Sequence, residues 1–107
     1  KEEHTMYIVC VAACPTGVAH TYMAAEALEV KGKELGIEIK VETQGSMGVE
    51  NEITAEDIAR ADAAIIAADV AINGAERFAS LPKIECKVAD PIKHGDALFE
   101  ALTAEVQ

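Results

Sequence analysis

The chain has 107 residues with 9 basic and 19 acidic side chains, a formal charge of −10, and half of its residues are hydrophobic. That length supports one domain with a modest core, and the charge argues against nucleic acid and against direct adsorption to anionic lipid. No run approaches the roughly 20 apolar residues of a membrane span, and the first apolar segment lacks the basic flank and cleavage site of a signal peptide. Residues 1–5 read as an N-terminal linker or appended remnant, and residues 6–107 as a single domain. With only two Tyr and two Phe, the core must be built from Ala, Val, Ile and Leu.

Met6 to Ala13 is continuously apolar, as expected of a central parallel strand covered on both faces. A helix is expected from about Val18 to Leu35, with Gly36 as its stop and Ala24, Ala27, Leu28 and Leu35 on its apolar face. Ile37 to Glu42 alternates strictly, the mark of a half-exposed strand, placed here at a sheet edge. Thr43 to Gly48 follows as a loop rich in turn residues. Its Gly45-Ser46-Met47-Gly48 stretch has the spacing of an RNA-binding GxxG loop, but the chain lacks the basic surface that reading needs.

Thr54-Ala55-Glu56-Asp57 has the form of a capping box opening a short helix through about Ala61. Ala63 to Ala68 is a second buried strand, ending at Asp69. A short helical segment spans Ala75 to Ala79, and Ile84 to Val88 alternates as the last strand. Asp90-Pro91 starts the final helix, with proline in the first helical position and Leu98, Phe99, Leu102 and Val106 as the apolar stripe. This alternation predicts an α/β three-layer sandwich: a four-stranded parallel sheet of order 2-1-3-4 with helices on both faces. Ligands in such sheets bind beyond the C-terminal strand ends, at the switch point. Cys14 falls there, together with Gln44 to Ser46 and Asp69.

The run Cys14-Pro15-Thr16-Gly17-Val18-Ala19-His20-Thr21 sets a cysteine between the end of a strand and the start of a helix. The first N–H groups of a helix lack internal partners and, with the helix dipole, favour an anion. A thiol so placed ionises more readily and becomes a better nucleophile. From His4 to Ala25 there is no Asp, Glu, Lys or Arg. A buried strand and a packed helix start account for that, and so does a bound dianion that tolerates no nearby carboxylate.

Cys10, Cys14 and Cys86 are odd in number and form no CxxC pair, so they are not a disulfide framework. Along a strand, Cys10 and Cys14 would sit about 13 Å apart, too far for a bridge. Reduced thiols and a cytoplasmic location fit that usage. His4, His20 and His94 show no metal-ligand spacing with the cysteines, so no metal is expected.

Five residues separate Cys14 from His20, and Thr21 follows. Cysteine-dependent phosphatases use Cys, five residues, Arg, then Ser or Thr. Here His20 stands where the permanently charged, bidentate arginine would be. Such a loop can hold a phosphoryl group without being built to hydrolyse it. Gly17 lets the backbone approach the phosphate, Pro15 fixes the chain after the nucleophile, and Thr16, His20 and Thr21 offer donors. The plainer readings are a structural thiol for Cys14 and helix capping for Thr16, His20 and Thr21. Cys10 and Cys86 read as core residues, Gln44 and Asp69 as strand-end residues, and His94 as part of a solvated helix face.

The stretch Ala13 to Glu26 closely resembles the fructose-type EIIB domain of the bacterial phosphoenolpyruvate:sugar phosphotransferase system. Val41-Glu42-Thr43-Gln44-Gly45-Ser46, Ile53-Thr54 and the Ala-rich strand ending at Asp69 are similar to the same family, and the likeness extends from about Met6 to Leu102. The resemblance implies that Cys14 accepts a phosphoryl group from a phosphohistidine on an EIIA domain. It implies transfer from there to a sugar, fructose in this branch, bound by a membrane-embedded EIIC domain. It also implies a cytoplasmic domain held at the inner face of the membrane through EIIC, with no cofactor, neither metal nor nucleotide. Two other classes compete: a cysteine phosphatase, suggested by the loop length, and a noncatalytic module that docks EIIA.

Overall fold

The computed structural model describes residues 6–14, 19–45 and 48–106. The linker assigned to residues 1–5 lies outside them. In chain order the elements are β1 (Tyr7–Ala13), α1 (Ala19–Leu35), β2 (Glu38–Gly45), β3 (Gly48–Glu50), α2 (Ala55–Arg60) and β4 (Ala63–Ala68). A 3-10 turn (Ala75–Phe78), β5 (Lys83–Cys86), α3 (Asp90–Lys93) and α4 (Gly95–Val106) complete the fold.

The five strands form one sheet of order β3-β2-β1-β4-β5. β1 pairs in parallel with β2 and β4, and β4 with β5. The expected order of the four parallel strands therefore holds, with β4 and β5 as third and fourth. The correction is β3, which pairs antiparallel with the end of β2, Thr43 facing Glu50 and Gly45 facing Gly48. It carries no apolar pattern, because all three of its residues are exposed. β2 runs on to Gly45 through residues expected to form a loop, and its C-terminal half is an interior position rather than a sheet edge.

Every residue of β1 is buried. Ile8, Cys10 and Ala12 join a core with Ala24 and Leu28 of α1 and Leu98, Phe99 and Leu102 of α4. Tyr7, Val9 and Val11 face the other way, onto Ile53, Ile58 of α2 and Phe78 of the 3-10 turn. The period-two geometry of a strand thus feeds two cores, which is why its sequence shows no alternation.

In α1 the buried line is Thr21, Ala24, Leu28 and Gly32. Leu35, expected on that face, is 52% exposed. Gly32 marks the closest approach of α1 to the sheet, since an added Cβ would lie 2.3 Å from Ile39 Cγ1. The helix stops at Gly36, whose φ of 71° is left-handed. The Thr54 capping box forms as expected, with Asp57 N donating to Thr54 Oγ1 and Thr54 N to Asp57 Oδ2. The final helix is broken at His94, whose dihedrals leave the helical region ahead of Gly95. Both residues are weak helix formers. His94 is exposed, as expected. Leu98, Phe99 and Leu102 are buried; Val106 ends the helix, its side chain outside the description.

Candidate functional site

Cys14 follows β1 directly. The register sets Ala13 opposite Gln44 on one side and Ala68 on the other. Cys14, Gly45 and Asp69 therefore lie at one level, at the C-terminal ends of the three central strands. The chain diverges there, to β2 on one side of β1 and β4 on the other, the crevice expected at a switch point. Cys14 is 7% exposed and packs in the core that holds Ala24 and Leu28, on the α1 side of the sheet.

Pro15, Thr16, Gly17 and Val18 lie outside the described residues. Ala19 and His20 are exposed at the start of α1. Thr21 is 2% exposed, and its Oγ1 has no hydrogen-bond partner among the described residues. Tyr22 OH donates to Glu50 Oε1 at 2.5 Å, tying the first turn of α1 to β3.

Asp69 joins the two neighbouring strand ends. Its N–H donates to Ala13 O at 3.1 Å, and its Oδ1 accepts from Val88 N at 3.0 Å. Gln44 is held to Asn73, accepting from its N–H at 2.8 Å and donating to its carbonyl at 3.0 Å. Both residues thus have structural partners at the strand ends. The three cysteines are thiols. Cys10 is fully buried, as expected, and burial pushes its thiol far up. Cys86 is half-buried on the edge strand, more exposed than a core residue, and burial followed by Asp90 and Asp69 pushes it up to about 12.

Glu42 had no signal as a buried residue. Alternation points it outward with Glu38 and Lys40, yet it is 1% exposed. The segment from Ile53 and the 3-10 turn cover that face of β2. Ile53 N donates to Glu42 Oε1 at 2.8 Å, Gln44 Nε2 to Oε2 at 2.6 Å, and Arg77 to both oxygens. Burial pushes the carboxyl up, but these donors outweigh it and hold it below its ordinary value. Arg77 also donates to the carbonyls of Ile53, Asn73 and Gly74.

An apolar hollow of about 270 Å³, lined by Ile66, Ala68, Phe78 and Cys86 among others, opens on the face opposite α1 and does not include Cys14. Among the described residues no group of three His, Cys, Asp or Glu side chains could hold a metal, and no helix is long and apolar enough to cross a membrane.

The family model described as "PTS system, Lactose/Cellobiose specific IIB subunit" matches residues 9–101. The "PTS system fructose-like EIIB component 2" of Escherichia coli (strain K12) is 52% identical over 99 residues, covering 92% of this chain and 93% of that protein. The "PTS system 2-O-alpha-mannosyl-D-glycerate-specific EIIABC component" of the same organism is 53% identical over 97 residues, 90% of this chain but 15% of that protein. A crystal structure described as a predicted fructose specific IIB from Escherichia coli superposes with a TM-score of 0.92 at 38% identity, covering 96% of this chain and 91% of that one. A buried cysteine at the switch point of a β2-β1-β4 sheet and these matches across nearly the whole chain agree: the chain belongs to the EIIB family of the phosphoenolpyruvate:sugar phosphotransferase system, on its fructose-like branch.

Proposed function

We propose that Cys14 is the phosphoryl carrier of this EIIB domain. In the loading step the Cys14 sulfur, its thiol proton passing to the released imidazole, attacks the phosphorus of a phosphohistidine on an EIIA partner. The N–P bond breaks and its electron pair stays on the imidazole nitrogen. In the unloading step a hydroxyl oxygen of a sugar held by a membrane EIIC partner attacks the phosphorus. The S–P bond breaks, its pair returns to the Cys14 sulfur, and the hydroxyl proton passes to a base on the acceptor side. Neither step needs a metal or a nucleotide.

The observation that carries this reading is the position of Cys14, buried at the end of the central strand on the side of the sheet covered by α1. The open N–H groups of the α1 first turn suit a phosphoryl dianion. We assign the holding of that group to the segment Pro15, Thr16, Gly17, Val18, Ala19, His20 and Thr21, whose last three residues open α1. With His20 in place of an arginine clamp, the loop orients the group for in-line transfer and stabilises hydrolysis poorly. The relative named as an EIIABC component supports EIIA as donor and EIIC as acceptor. The domain then works in the cytoplasm, at the inner face of the membrane, through EIIC. The sugar is fructose or a close analogue, selected by EIIC; similar identity to relatives named for different sugars supports that division.

Incubation with phosphorylated EIIA and its upstream carriers should raise the intact mass by one phosphoryl group. The Cys14→Ser variant should show no increase. Uptake of the same mass by that variant would assign the carrier elsewhere.

A further inference from the structure

β5 closes one end of the sheet, and among the described residues no strand lies beyond it. Its inner side pairs in parallel with β4, Ala64 facing Lys83 and Ile66 facing Glu85. Ala64 N donates to Pro82 O at 2.9 Å. Bonding residues alternate along a parallel ladder, so Pro82, Ile84 and Cys86 turn their backbone groups toward β4. Lys83 and Glu85 turn theirs outward. Unpaired backbone groups on an edge are a template for another strand.

The side chains indicate which strand. Lys83 and Glu85 are exposed and share one face, beside the apolar hollow they line with Ile66 and Phe78. Neither is held in an ion pair among the described residues. A lysine alone on an edge discourages pairing; here it stands two residues from a glutamate, which makes the edge complementary to itself. When a second β5 runs antiparallel with Ile84 opposite Ile84, Lys83 of each copy faces Glu85 of the other. The same register joins the outward backbone groups of Lys83 and Glu85 as hydrogen-bonded pairs and leaves Ile84 in the intervening non-bonded position. Charge and backbone phase therefore select one register.

The helix above this edge leaves room for a second copy. α1 covers β1 and β2, and α4 covers β4 and β5. α4 turns Asp96, Phe99, Glu100 and Thr103 to the groove it shares with Leu35 of α1. Ala97, Ala101 and Ala104 are exposed on the side away from that groove, where methyl groups permit close approach of another helix.

We propose that the chain associates with a second copy of itself through the β5 edge, in the antiparallel register centred on Ile84. The two-fold axis stands perpendicular to the sheet, which continues across both copies with their helices α1 and α4 on the same face. The two Cys14 ends point in opposite directions along the strands, so the seam covers neither, and the pairing is independent of the carrier assignment. The formal charge of −10 on each copy opposes association, and β5 is four residues long. The dimer is therefore weak and depends on protein concentration.

Sedimentation of the protein between about 10 μM and 1 mM tests it. The parent should move from monomer toward dimer across that range. Lys83→Glu leaves two acids on the edge and Glu85→Lys leaves two bases; each alone should weaken association about tenfold. An equimolar mixture of the two variants should recover it, because each acid then faces a base. Glu85→Pro removes an outward N–H without touching the β4 ladder and should abolish association, with thermal unfolding showing that the variant folds. A parent that stays monomeric to about 1 mM would overturn the proposal and leave the edge to a strand of another protein. So would a dimer that survives in folded Glu85→Pro, or a mixture that associates no better than its separate components.

Discussion

Arg77 grips Glu42 through both terminal nitrogens, Nη1 at 2.8 Å from Oε1 and Nη2 at 3.0 Å from Oε2. The pair is separated by 35 residues in sequence and joins β2 to the 3-10 turn under the switch-point end of the sheet. Glu42 is inaccessible to water, so its charge depends on this fork and on the N–H groups of Ile53 and Gln44.

Removing the arginine leaves a buried carboxylate without its cation. Arg77→Met should lower the unfolding free energy by about 3 kcal/mol, read from urea denaturation at neutral pH. Because the folded carboxyl is held below its ordinary value of 4.5, this stabilisation is complete above that pH and is lost as pH falls through the folded value. The gap between Arg77→Met and the parent protein should therefore narrow in acid. A constant gap would mean that packing of the arginine stem, and not its charge, is what matters.

At the opposite end of the sheet, Asp57 gathers a second network. Its Oδ2 accepts from Lys40 Nζ at 2.6 Å and Thr54 N at 2.9 Å, and its Oδ1 from Tyr7 OH at 3.0 Å. Lys40, then the Thr54 N–H, hold the carboxyl well below the usual carboxylate range. Burial, then the Asp57 hydrogen bond, push the Tyr7 phenol up to about 12. Asp57→Asn loses the ion pair and weakens the capping box, and should cost about 1–2 kcal/mol at neutral pH. The sign follows from a depressed folded value: the contribution is present above about pH 4 and disappears as pH falls. Urea midpoints for the two proteins should converge in acid.

Gly32 sets how closely α1 lies on β2. In Gly32→Ala the new methyl meets Ile39 Cγ1 at 2.3 Å and the Ile37 carbonyl at 3.0 Å. Alanine favours a helix over glycine by about 1 kcal/mol, but the clash should outweigh it and leave the variant about 1–2 kcal/mol less stable. A rise in thermal midpoint would show that the helix can shift outward at little cost.

Much of the scaffold was legible from local pattern. The unbroken apolar run of β1, the capping box at Thr54, the Gly36 stop and the Ala63–Ala68 strand each depend on neighbouring residues, and each formed as expected. Cys14 at the end of the central strand was legible for the same reason: a strand and a helix close in sequence bring it there. β3 was not, because three exposed residues carry no periodicity and exist as a strand only by pairing with β2.

What the sequence determined by itself was the alternation of elements, the order of the parallel strands and the placing of a cysteine at the switch point, since short-range geometry dictates all three. What only the tertiary structure decided was which polar groups are removed from water. Alternation pointed Glu42 outward, and the apolar face expected for α1 included Leu35 and left out Thr21. Packing reversed both, burying Glu42 beneath Ile53 and Arg77 and sealing the Thr21 hydroxyl on the inner face of α1. Burial depends on what arrives from distant parts of the chain, and a pattern read along the chain carries no information about that arrival.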